Sequence, residues 1–75
     1  MTGLELTHTA VDNAERLRVA RGLSITDLAH AAGITRQYLT LLRSPHGGDR
    51  VISLDLLARL AVALEVPPAD LLRAP

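Results

Sequence analysis

The fold is decided by the stretch ITDLAHAAGITRQYLTLLRS, residues 25–44. It predicts two short helices, over 25–32 and 36–43, that meet at Gly33. Gly33 follows the last apolar residue of the first of these helices, where the backbone of many helices turns left-handed. Apolar residues recur at helical spacing on one face of each helix. This pattern is typical of a helix-turn-helix.

Both helices have a clear start signal. Ser24 and Thr35 stand immediately before them, and a hydroxyl in that position accepts a hydrogen bond from a backbone N–H of the first turn. Asp27, three residues after Ser24, gives a pair similar to a capping box. The Ser44-Pro45 pair ends the second helix, because proline has no N–H with which to continue it.

Ahead of this motif the sequence predicts a first helix. Thr9, with an Asp three residues later, gives a capping pair that starts the helix near Ala10, and Gly22 ends it. Residues 1–8 are predicted to be a flexible N-terminal arm, because nothing in their composition compels them to pack. The helix-turn-helix domain is therefore expected over residues 9–75.

After the helix-turn-helix motif, the sequence predicts two further helices. Ser53 caps one over 54–64, and Pro68 suits the first position of a short last helix. The segment 44–50 contains the only Gly-Gly pair and is expected to be a connecting turn. The predicted core-facing residues of the fourth helix are Leu54, Leu57, Leu60, Ala61 and Leu64. The expected fold class is all-α, a compact domain of five helices with the helix-turn-helix at helices 2 and 3.

Composition argues against several classes of protein. The 75 residues make one small domain without Cys, so neither a disulfide nor a Cys-ligated metal is available. The three His are scattered without metal-ligand spacing, so no metal and no cofactor are predicted. No nucleophile stands beside a base, so no enzymatic activity is expected. Since neither a signal peptide nor a membrane-spanning run is present, a cytoplasmic location is expected.

Charge is distributed unevenly along a chain whose formal net charge is zero. Residues 16–50 carry six Arg against two Asp, a net charge of +4, and the rest of the chain carries −4. All eight basic residues are Arg, whose planar guanidinium can pair bidentately with a phosphate or a guanine edge. The distribution favours a nucleic-acid partner, although the exclusive use of Arg is equally well explained by a GC-rich genome.

Taken in chain order, the predicted helices and their capping residues resemble the Cro/CI-type helix-turn-helix DNA-binding family, also called the XRE family. The resemblance covers residues 14–72. Its matching runs are LRVARGLS (17–24), DLA (27–29), GITR (33–36), YLT (38–40) and SLxxLxxLAxALxV (53–66). It implies a compact five-helix domain of the lambda-repressor-like fold. It also implies a regulator of transcription that binds double-stranded DNA, usually as a homodimer on a palindromic operator.

Carried over by position, residues 35–44 form the recognition helix. The residues expected to contact base edges are Arg36, Gln37, Thr40 and Leu41. Arg can pair with guanine O6 and N7, and Gln with adenine N6 and N7. The residues expected to contact the phosphate backbone are Ser24, Thr35, Tyr38, Arg43, Ser44 and Arg50. For Tyr38, packing on the second helix is the alternative.

Four features depart from the family pattern. Ile25 stands where many members carry a Gln that contacts phosphate. Arg43 stands where members often carry a Glu that pairs with the Arg of the first helix, here Arg18, so one of the two arginines needs another partner or a phosphate. Leu41 stands where a polar residue is common, and it could contact a thymine methyl group or a protein. The loop after the third helix is about three residues longer than usual.

The leading interpretation is a repressor-like, sequence-specific transcriptional regulator that acts as a homodimer. Its predicted dimer face consists of Leu56, Val62, Leu71 and Leu72, which are apolar beyond the needs of one small core. An antitoxin with a toxin partner, or a restriction-modification controller, would share this fold and bind DNA. A protein-interaction module without DNA binding is a further alternative, favoured by Ile25, Leu41 and the zero net charge.

Overall fold

The computed structural model describes residues 1–44 and 50–74, and these residues form a bundle of short helices without a strand. The helices are α1 (Gly3–Ala20), α2 (Ile25–Ala31), α3 (Arg36–Arg43), α4 (Leu54–Leu64) and α5 (Pro68–Leu71). The prediction of an all-α domain of five helices is therefore confirmed. Most of the turn predicted over 44–50, with its Gly-Gly pair, lies outside the described residues.

Helix α1 begins earlier than predicted. The Thr2 hydroxyl accepts a hydrogen bond from the Glu5 backbone N–H, and the Glu5 carboxylate accepts one from the Thr2 N–H, both at 3.1 Å. Glu in this position gives a stronger capping box than the Asp that follows Thr9. The predicted start near Ala10, and with it the flexible arm over 1–8, is wrong, because the helix includes Thr9 and all residues back to Gly3.

Two buried polar side chains attach α1 to the rest of the domain. The Thr7 hydroxyl accepts a hydrogen bond of 3.2 Å from the backbone N–H of Ile52, just before α4. The Asn13 amide donates to the carbonyl oxygens of Leu71 and Arg73, at 2.7 and 2.8 Å. These bonds satisfy carbonyls that the end of α5 leaves without a helical partner. The early turns of α1 thus belong to the folded body.

The predicted caps of the three central helices are confirmed. Ser24, Thr35 and Ser53 each accept a hydrogen bond from the backbone N–H three residues on, at 2.9, 3.0 and 3.0 Å. At their other ends, α1, α2 and α4 stop at a residue with positive φ. These residues are Gly22, Gly33 and Glu65, with φ of 70°, 71° and 59°. In each case the next N–H reaches back to a carbonyl of the last turn.

The core lies where the other helices close around α4. Leu57, Leu60, Ala61 and Leu64 are buried there as predicted. The prediction is wrong at Leu54, which is 84% exposed, while Leu56 is 3% exposed. Helix α4 contacts α1, α2 and α5, so its buried face is wider than a single stripe. Leu54 lies in the first turn, outside that buried face.

This packing also changes the predicted dimer face. Leu56 and Leu71 are almost fully buried within their own chain. They are core residues, so their assignment to a dimer face is wrong. Val62 is 78% exposed and Leu72 is half-buried. These two remain candidates for contact with a second copy.

The turn between α2 and α3 is held by a side chain from α4. Nη1 of Arg59 donates to the carbonyl oxygen of Ala32 at 3.1 Å and to that of Gly33 at 3.4 Å. A Cβ atom added at Gly33 would lie 3.0 Å from the same nitrogen. Two features therefore require glycine at position 33, namely its left-handed backbone conformation and the closeness of Arg59.

We expect Gly33→Ala to destabilise the protein more than Gly22→Ala. Both changes force Ala into a left-handed conformation, which costs about 1–2 kcal/mol. A Cβ at Gly22 has open space around it. A Cβ at Gly33 must displace Arg59 and weaken its bond to Ala32, which adds about 1 kcal/mol. Urea unfolding of the two variants measures the difference, and equal losses would contradict the role of Arg59.

Candidate nucleic-acid interface

The outer face of α3 is polar and accessible. Its inner face is anchored by Leu39 and Leu42, both buried in the core. Arg36, Gln37 and Thr40 are exposed on the outer face, and Leu41 is half-buried. Together with Ser44, these four residues line a shallow depression of about 430 Å³. The structure thus brings the predicted base-contacting residues together on one surface.

The predicted phosphate-contacting residues have different surroundings. The Ser24 and Thr35 hydroxyls accept hydrogen bonds as caps, and each can still donate its own hydrogen to an anion. Arg50 is exposed, and Ser44 is half-buried at the end of α3. Tyr38 is partly buried and packs against the core. Its ring therefore packs within its own chain, and the phosphate contact of its hydroxyl stays a prediction.

Arg43 shares one carboxylate with Arg18. Glu15 on α1 accepts hydrogen bonds from Nε and Nη2 of Arg18, the first at 2.9 Å, and from Nη2 of Arg43 at 2.9 Å. Nε of Arg43 lies 2.9 Å from Oε2 of Glu15 but is not aligned for a hydrogen bond. Nη1 of Arg18 donates to the Leu23 carbonyl at 2.6 Å. Glu15, Arg18 and Arg43, here called the Glu15 cluster, therefore join α1, α3 and the start of α2.

Contacts within the Glu15 cluster shift the pKa values of Glu15 and Arg18. Hydrogen bonds from Arg18 hold the pKa of the Glu15 carboxyl below its usual range. Partial burial acts in the opposite direction, and the guanidinium of Arg43 lowers the pKa further. The bond to Glu15 in turn raises the pKa of Arg18. Both shifts favour the ionised forms of Glu15 and Arg18 at neutral pH.

We expect the Glu15 cluster to stabilise the protein at neutral pH and to lose this effect in acid. The Glu15 pKa is lowered in the folded state from about 4.3 in the unfolded chain. Its contribution is therefore present above about pH 4.3 and declines as the pH falls through the lowered value. Glu15→Gln should cost about 1–2 kcal/mol at pH 7 and clearly less near pH 3. Urea unfolding at both pH values measures this, and an equal cost at both would contradict it.

Two residues that shape this surface are absent from the sequence-based prediction. Glu15 had a local signal, since it stands three residues before Arg18 on one helix. Arg59 had none, because it binds backbone carbonyls 26 and 27 residues away. Ile25, which replaces the usual Gln, packs against the core. In this chain, the side chain at position 25 therefore contributes to the packing around the core.

Residues 1–44 and 50–74 contain no group of three or more His, Cys, Asp or Glu side chains that could hold a metal ion. No helix in this part of the chain has the length and apolar character needed to cross a membrane.

Comparison with known proteins identifies the family. The family profile of the Cro/C1-type HTH DNA-binding domain matches residues 15–75. The chain belongs to this family. Within the Cro/C1-type domain, α2 and α3 are the helix-turn-helix, and the resemblance inferred from the sequence is confirmed.

Solved structures of transcription regulators share this fold. The restriction-modification controller protein C.AhdI from Aeromonas hydrophila has 32% sequence identity and a TM-score of 0.74, covering 87% of this chain and 94% of its own. The clp gene regulator ClgR from C. glutamicum has 28% identity and a TM-score of 0.76, covering 89% and 83%. The hypothetical transcription factor NHTF from Neisseria has 27% identity and a TM-score of 0.81, covering 100% and 83%. No curated protein sequence matches the chain.

Proposed function

We propose that this Cro/C1-type protein is a repressor-like regulator that binds a palindromic operator as a homodimer and contacts the bases through α3. The observation that carries the proposal is the exposed polar face of α3, with Arg36, Gln37 and Thr40 around one shallow depression. In this arrangement, phosphate contacts supply affinity and register, whereas contacts to base edges supply sequence specificity.

Each side chain on this face has a contact suited to its chemistry. The first residues of a recognition helix enter the major groove, which places Arg36 and Gln37 nearest the bases. Arg36 would pair with guanine and Gln37 with adenine. Thr40 would add a polar contact, and Leu41 would contact a thymine methyl group. Around this face, the phosphate contacts would come from Ser24, Thr35, Tyr38, Arg43, Ser44 and Arg50.

The arrangement of ion pairs supports a DNA-binding face despite the zero net charge. Arg36 and Arg50 are exposed, and within the described residues neither takes part in an ion pair. The arginines that do have carboxylate partners are Arg18, Arg21, Arg43, Arg59 and Arg73. Arg16 on α1 also has no carboxylate partner among the described residues, and its Nη2 donates to Oδ1 of Asn13 at 2.7 Å. Arg36 on α3 and Arg50 before α4 thus carry positive charge that a phosphate backbone can neutralise.

Selection from randomised duplex DNA tests the proposal directly. We expect the protein to enrich a palindromic sequence, with an affinity that falls steeply as the salt concentration rises. Binding without enrichment would contradict sequence specificity. Failure to bind any duplex would contradict the proposal and favour the alternative of a protein-interaction module.

We expect Arg36→Ala to weaken binding to the selected site by about 1–3 kcal/mol and to relax the base preference at one position. Arg73→Ala is the control, because it removes the same charge from an exposed residue beyond α5. The control should leave the base preference unchanged. Fluorescence anisotropy on the selected site and its single-base variants measures both effects. Unchanged operator affinity in Arg36→Ala would show that α3 does not contact the bases as proposed.

The dimer in this proposal would use Val62, which is exposed, and Leu72, which is half-buried. Val62 lies in the second half of α4 beside Ala31, Ala58 and Arg59. Leu72 follows α5 directly. An apolar side chain as exposed as Val62 gains free energy when a second copy covers it, at about 25 cal/mol per Å² of apolar surface removed from water.

We expect sedimentation equilibrium at high micromolar concentration to show a dimer that Val62→Asp converts to a monomer. The substitution would place an unpaired carboxylate in an apolar contact, which costs about 2–7 kcal/mol or more. Val19→Asp is the matched control, since Val19 is another exposed valine, on α1, and its substitution should leave the dimer intact. A wild-type protein that stays monomeric throughout would contradict the dimer.

A restriction-modification controller is the second candidate function. The observation that favours it is the match to C.AhdI, which covers 94% of that controller's chain with 32% identity. A restriction or methyltransferase gene beside the gene for this protein would support this candidate. A neighbouring toxin gene would instead support an antitoxin.

A further inference from the structure

The Glu15 cluster forms a continuous polar connection behind the recognition helix. It runs from the Leu23 carbonyl, just before α2, through Arg18 and Glu15 to Arg43 in the last turn of α3. Its charged side chains are only 15–28% exposed. Hydrogen bonds between charged groups are directional and are stronger when water is partly excluded. The connection therefore restricts the orientation of α3 relative to α1.

The charges of the cluster do not balance. One carboxylate serves two guanidiniums, so the cluster keeps one positive charge in excess. Arg43 stands seven residues, or about two turns, after Arg36, which places both on one flank of α3. Removal of the carboxylate charge would leave two guanidiniums at close range, and their repulsion would push the last turn of α3 away from α1.

We propose that Glu15 is a positioning residue for the recognition helix. By holding Arg43 it fixes the last turn of α3 against α1, and so it sets how well the protein distinguishes its operator from other DNA. This inference rests on the function proposed above. It assigns a role in sequence specificity to Glu15, a residue that lies outside the DNA-binding face.

The test compares operator and random-sequence DNA for Glu15→Gln. The added positive charge should strengthen binding to random duplex about threefold. Misplacement of α3 should weaken operator binding, so the ratio of operator to random affinity should fall by about tenfold or more. A merely unstable variant would lose both affinities together. A purely electrostatic effect would raise both by the same factor. Either result, or an unchanged ratio, would overturn the proposal.

Asp12→Asn is the matched control for this charge change. Asp12 is exposed and stands three residues before Glu15 on α1. Asp12 lines a cavity together with Arg43, but its substitution adds the same charge to the same helix and leaves the hydrogen bonds of the Glu15 cluster in place. We expect it to raise both affinities by one factor and to leave their ratio unchanged. A fall in the ratio equal to that of Glu15→Gln would overturn the positioning role.

A double variant provides a rescue experiment. In Glu15→Gln/Arg43→Glu, a carboxylate on α3 would face Arg18 and restore the connection between the helices from the other side. We expect the ratio of operator to random affinity to return to within about threefold of the wild type. Both absolute affinities should fall, because a positive charge near the phosphates becomes negative. A ratio that stays as low as in the single variant would overturn the proposal.

Amide hydrogen exchange separates this inference from the proposed function. The amides of Leu42, Arg43 and Ser44 should exchange about tenfold faster in Glu15→Gln, relative to Leu60 in the core, without DNA. Unchanged exchange would overturn the positioning role whether or not the protein binds DNA. Failure of the wild type to select a sequence would refute only the proposed function. Faster exchange with an unchanged affinity ratio would overturn the link between Glu15 and specificity.

Discussion

The orientation of the recognition helix depends on the left-handed turn at Gly33. The positive φ of this residue ends α2 and redirects the chain within two residues to the cap of α3. Because Gly33 has no Cβ, Arg59 can approach closely enough to bind the carbonyls at the end of α2. The small Ala29 and Ala32 are fully buried beside the turn. With this geometry α3 buries Leu39 and Leu42 and exposes its polar face.

Local signals in the sequence were sufficient for the helices whose ends are fixed by neighbouring residues. The starts of α2, α3 and α4 follow from a hydroxyl cap, and the ends of α1 and α2 from a glycine. The start of α1 was placed wrongly because two capping pairs compete, and the stronger one begins at Thr2. The local sequence shows which pair starts the helix only if residues 1–8 are also known to pack against the domain. Here that depends on the contact of Thr7 with the chain before α4.

Tertiary packing determined which helix faces are buried where the local sequence pattern allowed several. The spacing of leucines on α4 is compatible with several buried faces, and contact with three other helices selected a face that includes Leu56 and leaves Leu54 exposed. The same packing buried Leu56 and Leu71, which the sequence pattern had placed on a dimer face. The composition of the face on α3 was predictable, since four of its side chains follow one helical stripe. The partner of Arg43 was not, because Glu15 is 28 residues away.

Helix α3 shows why a small DNA-binding domain needs charged contacts as well as a core. Its eight residues bury two leucines, and each fully buried leucine contributes about 1.5–3 kcal/mol. Burial of this kind selects which face of the helix points inward, but it is not directional and fixes the rotation of the helix only loosely. Hydrogen bonds are directional. Arg59 supplies them at the turn that begins α3, and Glu15 supplies them in its last turn. A helix held at both ends in this way presents its outer side chains in one orientation, which a contact with specific base edges requires.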